Sequence, residues 1–102
     1  MTDQATLTAA RRMAEIKTEH ASRYLQQLCK HFAHKRPVTF DPHLGQISFA
    51  SGICNLKADD SVLKLTLEAP DEEHLAQLMD VVVRHLVRFA FREEIRIDWR
   101  PV

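Results

Sequence analysis

Apolar residues recur along this chain with two different periods, and the points where the period switches mark out its elements. The longest regular stretch runs from Asp71 to Phe91. There Leu75, Leu78, Met79, Val82, Leu86 and Phe89 fall at i, i+3, i+4, i+7 spacing, one stripe of a helix with about 3.6 residues per turn. Asp71 is suited to the N-cap, and Glu72 and Glu73 place negative charge at the positive end of the helix dipole. Arg84, Arg88 and Arg92 lie toward the other end, where cations are favoured. A second helical stripe, Ala21, Tyr24, Leu25, Leu28 and Phe32, predicts a helix over 20–35. It closes in the basic residues Lys30, Lys35 and Arg36 before Pro37, which stops it.

After Pro37 the period becomes two. Val38 and Phe40 alternate with polar neighbours, and 41–45 (DPHLG) is turn chemistry. Ile47 and Phe49 follow, then a turn at Ser51 and Gly52. Cys54, Leu56 and Ala58 then oppose Asn55 and Lys57. A third turn at Asp59, Asp60 and Ser61 leads to Leu63, Leu65 and Leu67 against Lys64, Thr66 and Glu68. Tight turns between one-sided runs predict an antiparallel meander with a wet face. At the end, Ile95, Ile97 and Trp99 alternate with Arg96, Asp98 and Arg100 as a closing strand. Two readings compete for 12–18. Ala14, Ile16 and Thr18 alternate with Glu15 and Lys17 as in a strand, which we favour, yet Met13, Ile16, His20 and Tyr24 also fit a helix running into the next. Residues 1–11 read as a flexible tail before a single domain over 12–102.

The predicted order is β-α-β-β-β-β-α-β. One-sided strands and singly striped helices pack most economically as an α+β two-layer sandwich, with two helices on one face of a mostly antiparallel five- to six-stranded sheet. A chain of 102 residues buries roughly two thirds of its unfolded surface, enough to fold without disulfide or metal. Lys and Arg number 14 and so do Asp and Glu, for a formal net charge of zero. That balance argues against a general nucleic-acid or anionic-membrane binder. No apolar run approaches the roughly 18 residues of a membrane span, and no secretion signal is visible. With two cysteines, Cys29 and Cys54, the expectation is a cytoplasmic protein with reduced thiols.

Candidate chemistry is sparse. Cys29, His31, His34, Cys54 and His85 form the metal-ligand set to consider, but C-x-x-C and H-E-x-x-H spacings are lacking. Cys29 and His31 project about 200° apart on a helix and cannot share an ion; His31 and His34 share a face only if the last helical turn is intact. Cys29 with His85 is the nucleophile–base pair to test. The basic residues Arg23, Lys30, Lys35 and Arg36, with His31 and His34, form a candidate site for an anionic ligand, and Arg92 joins that list. Gly45 and Gly52 are too few for a phosphate-binding loop. The wet sheet face, with Ser48, Asn55, Lys57, Lys64, Thr66, Arg96 and Arg100, lacks the aromatic platforms of an RNA-binding sheet. Ile53 and Val62 on that face favour self-association or a protein partner.

Three segments, RYLQQLCKHFAHK (23–35), GICNLKADD (52–60) and above all HLVRFAFREEIRIDW (85–99), resemble a small bacterial family of domains of unknown function, over about residue 13 to the end. Its members occur alone or beside siderophore-utilisation proteins of the flavin-dependent ferric reductase type. The resemblance therefore implies an accessory role in iron acquisition with such a reductase as partner, and it implies neither a cofactor nor catalytic residues. Within FAFREE (89–94), Phe89 points inward, Phe91 closes the core, and Arg92, Glu93 and Glu94 form a structural ion-pair network or a binding edge, the former preferred. Three functions follow for testing: a non-enzymatic binding or accessory domain, the leading one, then an iron or zinc sensor, then a small Cys/His enzyme.

Overall fold

A computed structural model describes residues 9–102. Strand β1 (Ala10–Lys17) leads to helix α1 (Ala21–Phe32), strands β2 (Val38–Phe40), β3 (Leu44–Phe49), β4 (Gly52–Ala58) and β5 (Val62–Ala69), and helix α2 (Glu72–Phe89). The sheet has the order β1-β5-β4-β3-β2 and every pairing is antiparallel. The fold is thus the expected α+β sandwich. α1 carries the chain from one edge of the sheet to the other, and the meander walks back until β5 lies beside β1.

Alternation sets the layers. Leu63, Leu65 and Leu67 of β5, Cys54 and Leu56 of β4, Ile47 of β3, and Ala14 and Ile16 of β1 are buried beneath the helices. α2 answers with Leu75, Leu78, Val82 and Leu86, the predicted stripe. Each such side chain contributes about 1.5–3 kcal/mol on removal from water. The Asp71 carboxylate accepts the His74 amide at 2.8 Å, as an N-cap should. Gly45 lets α1 sit close to the sheet, because a Cβ there would stand 2.8 Å from Cys29 Sγ and 3.3 Å from Leu25 Cδ2.

The ends depart from expectation in instructive ways. The run at 12–18 is a strand as far as Lys17, beginning at Ala10 inside the expected tail; residues 1–8 of that tail lie outside the described residues. α1 stops at Phe32 rather than Lys35. The amides of Lys35 and Arg36 both turn back to the Phe32 carbonyl, since Pro37 disfavours helical backbone at the residue before it. The closing strand forms only in part: Ile95, Ile97 and Trp99 pack on the core and their neighbours face water, yet one bridge, Met13 with Arg100, joins this segment to β1. Alternation records which side of an extended chain is covered, and it does not require a hydrogen-bonded neighbour.

Candidate functional site

Where β1 hands over to α1, the turn after α2 folds across it, and the two enclose a cleft of about 790 Å³. The β1–α1 connection supplies Thr18 and His20, the first half of α1 supplies Arg23, Tyr24 and Gln27, and the chain leaving α2 supplies Phe89, Phe91, Arg92 and Glu93. Arg23 and Gln27 are one helical turn apart and share a face, while Tyr24, on the inward side, is buried.

A carboxylate organises the inner wall. Glu93 Oε2 accepts the Tyr24 hydroxyl and, at 3.0 Å, the Thr18 hydroxyl. Thr18 Oγ1 in turn accepts the His20 amide at 3.0 Å, and the Thr18 amide donates to the Ser61 carbonyl at 3.0 Å. The network ties together the start of α1, the end of α2 and the β4–β5 turn. Burial first, then the hydrogen bond and charge of Glu93, push the Tyr24 hydroxyl up to about 12. Tyr24 is therefore a fixed donor rather than a base. Gln27 also lines the cleft, and its Oε1 is buried without a hydrogen-bond partner among the described residues.

The outer wall carries charge of both signs, with Glu19 and Lys17 beside two arginines. Arg23 and Arg92 line it, and neither makes an ion pair among the described residues. Arg92 lies over the ring of Phe91, 5.3 Å from guanidinium carbon to centroid, and Phe91 is 74% exposed. The expectation that Phe91 closes the core is thus corrected. α2 ends at Phe89, so Phe91 lies beyond the helical register that would turn it inward. The expected ion-pair network of Arg92, Glu93 and Glu94 is absent among the described residues, because Glu93 faces two hydroxyls. Planar guanidiniums beside an apolar ring suit an anion with a flat or apolar body.

The basic residues expected to act together are dispersed. Arg23 and Arg92 meet in this cleft. Lys35 and Arg36 border a different recess, with Phe32, Phe49 and His74. His34 falls in the turn after α1, beyond the intact helix that pairing with His31 needed. His31 instead meets His85 across the two helices, ring centroids 4.9 Å apart, with Phe32 and Phe89 alongside. His85 Nδ1 lies 2.7 Å from the Val81 carbonyl oxygen. Burial and the neighbouring His85, Arg88, His34 and Lys35 hold His31 below its usual range.

Cys29 and Cys54 are fully buried, free thiols. Burial pushes Cys29 up to about 11 and Cys54 higher still, the latter helped by Cys29 nearby. That environment disfavours the thiolate a nucleophile or metal ligand requires. The five candidate ligands therefore divide into a thiol pair in the core and a histidine pair at the helix contact, with His34 near that pair but in the turn after α1. Among the described residues no three His, Cys, Asp or Glu side chains are grouped to hold a metal ion. Sequence reasoning missed Thr18 and Tyr24 as site residues, and offered Glu93 only within a charged triplet read as an ion-pair network or a binding edge. The available signal was Tyr24 itself, since a phenol on an apolar stripe needs a partner for its hydroxyl.

Comparison with known proteins places the chain. A family model described as uncharacterised protein conserved in bacteria (DUF2218) matches residues 13–100. The chain belongs to that family. The NMR structure of PA4090 from Pseudomonas aeruginosa, 39% identical, superposes with a TM-score of 0.76 over 90% of this chain and 96% of that one. The DUF2218 match spans every element of the cleft, from the middle of β1 to the residue that bridges back to it. No curated protein matches the chain.

Proposed function

We propose that this chain is a non-enzymatic binding or accessory domain that holds an anionic small molecule in the cleft between α1 and the turn after α2. The observation that carries this reading is the pair of guanidiniums, Arg23 and Arg92, without an ion-pair partner among the described residues, on a cleft whose inner wall is a built hydroxyl–carboxylate network. Guanidiniums not engaged in ion pairs at a concave surface are what an anion needs, although Glu19 and Glu93 also line the cleft. In this reading Tyr24, Thr18 and Glu93 position the wall, Arg23 and Arg92 bind, and Phe91 supplies the apolar contact. Within that class we assign siderophore-bound iron as the cargo and a ferric-siderophore reductase as the partner. A ferric tris-catecholate carries net negative charge on flat aromatic rings, whereas a ferric tris-hydroxamate is neutral.

Calorimetric titration with both complexes tests the assignment. The tris-catecholate should bind and the tris-hydroxamate should not, and Arg23→Ala and Arg92→Ala should each weaken binding about tenfold, as expected for a lost charged hydrogen bond. Absence of heat from the tris-catecholate, with the protein shown folded by circular dichroism, removes the siderophore assignment. Unaltered affinity in both arginine variants removes the cleft.

A further inference from the structure

The side of the sheet turned away from the helices holds a second concavity, of about 610 Å³. Strand register builds it. Thr39, Gln46, Asn55 and Thr66 stand in one row across β2, β3, β4 and β5, and Leu44, Lys57 and Lys64 form the next row. Gln46 Nε2 donates to Asn55 Oδ1 at 2.9 Å. The floor is thus a strip of amides and hydroxyls bordered by two ammonium groups.

Lys57 and Lys64 are direct cross-strand partners. Like charges set opposite one another weaken a sheet, and neither lysine makes an ion pair among the described residues. The nearby carboxylates are engaged elsewhere. Glu15 is paired in register with Lys64, yet its Oε1 accepts from Arg100 at 2.9 Å. Glu68 pairs with Arg11 at 3.5 Å. Asp41, on the groove wall, accepts the His43 and Leu44 amides at 2.7 and 2.8 Å. The lysine pair is a doubly positive spot beside a polar strip, and a phosphomonoester dianion with a hydroxyl-rich body matches both features.

We infer that this groove is a binding site for a small phosphorylated, polyhydroxylated metabolite, with the phosphate between Lys57 and Lys64 and the hydroxyls over Gln46, Asn55 and Thr66. The inference is independent of the cleft and of its cargo. Nitrogen–proton NMR titration with glucose 6-phosphate and with inorganic phosphate, at ionic strength held constant by sodium chloride, tests it. Amides of Asn55, Lys57, Lys64 and Thr66 should shift saturably, the sugar phosphate binding several-fold tighter than phosphate. Lys57→Gln and Lys64→Gln should each cut that affinity about tenfold and raise Tm, because the like-charge pair is relieved. Arg23→Ala should leave it unchanged. Shifts that do not saturate, that spread over surface lysines such as Lys30 and Lys35, or that persist in both glutamine variants overturn the inference.

Discussion

Gly45 shows how a single residue decides the distance between the two layers. An alanine methyl there would collide with Cys29 Sγ, so Gly45→Ala should cost about 1–3 kcal/mol through overpacking. The compensating change is on the other side of the contact: adding Cys29→Ala to Gly45→Ala should recover part of the loss in urea midpoint, although Cys29→Ala alone destabilises. A double variant no better than Gly45→Ala would show that the strain lies elsewhere. Tyr24 is the chain's one tyrosine, so its phenolate absorbance can be followed without assignment. Its hydroxyl is raised in the folded state from 10.0 to about 12. The stability it contributes is therefore whole below about pH 10 and is lost as pH rises through about 12. The ultraviolet titration should place the native phenol near 12, and Tyr24→Phe should flatten the tyrosine part of the alkaline loss. Cys29, raised to about 11, adds a loss of the same sign beginning near its unperturbed value of 9.0.

At the level of elements, one-sided patterns with strong turn chemistry were legible. Leu63, Leu65 and Leu67 against Lys64, Thr66 and Glu68 could only be a half-covered strand, and Asp71 before the longest apolar stripe could only start a helix. Hydrophobic periodicity falls silent where chain covering and hydrogen bonding part company. Ile95, Ile97 and Trp99 are covered on one side, but their segment has a single bridge to β1. It should open at a lower free energy than the sheet. Trp99, the sole tryptophan, should change emission at lower urea than the helical circular dichroism signal; coincident transitions would refute this. The cleft was illegible for a related reason. Its wall joins Thr18 and Tyr24 to Glu93, residues that no local pattern places together. Contact between the helices brings a titration of its own. His31 is held below 6.5 by burial, His85 and Arg88, so the stability tied to its neutral form is present above about pH 6.5 and declines as pH falls below it. His31→Gln should blunt that acid dependence.

For the molecule as a whole, the two faces of the sheet carry different burdens. The helix side holds the core, and no helix among the described residues is long and apolar enough to cross a membrane. The outer side is rich in charge, with Arg11, Glu15, Lys17, Lys57, Lys64 and Glu68. Stable interfaces between subunits are depleted in charge at their centres, so this face fits ligands and transient contacts better than permanent assembly. Sedimentation at micromolar protein should then give the mass of one chain, and a concentration-independent dimer would count against that view.

Strand β1 is made well before its neighbour. β1 lies against β5, with Ala10 opposite Ala69 and Lys17 opposite Val62, so a nascent chain carries its opening ribbon unpaired until synthesis has passed the whole meander. Anything that removes or delays that ribbon exposes the flank of β5, a bare seam with a leucine at every second position, to which another chain could stitch itself.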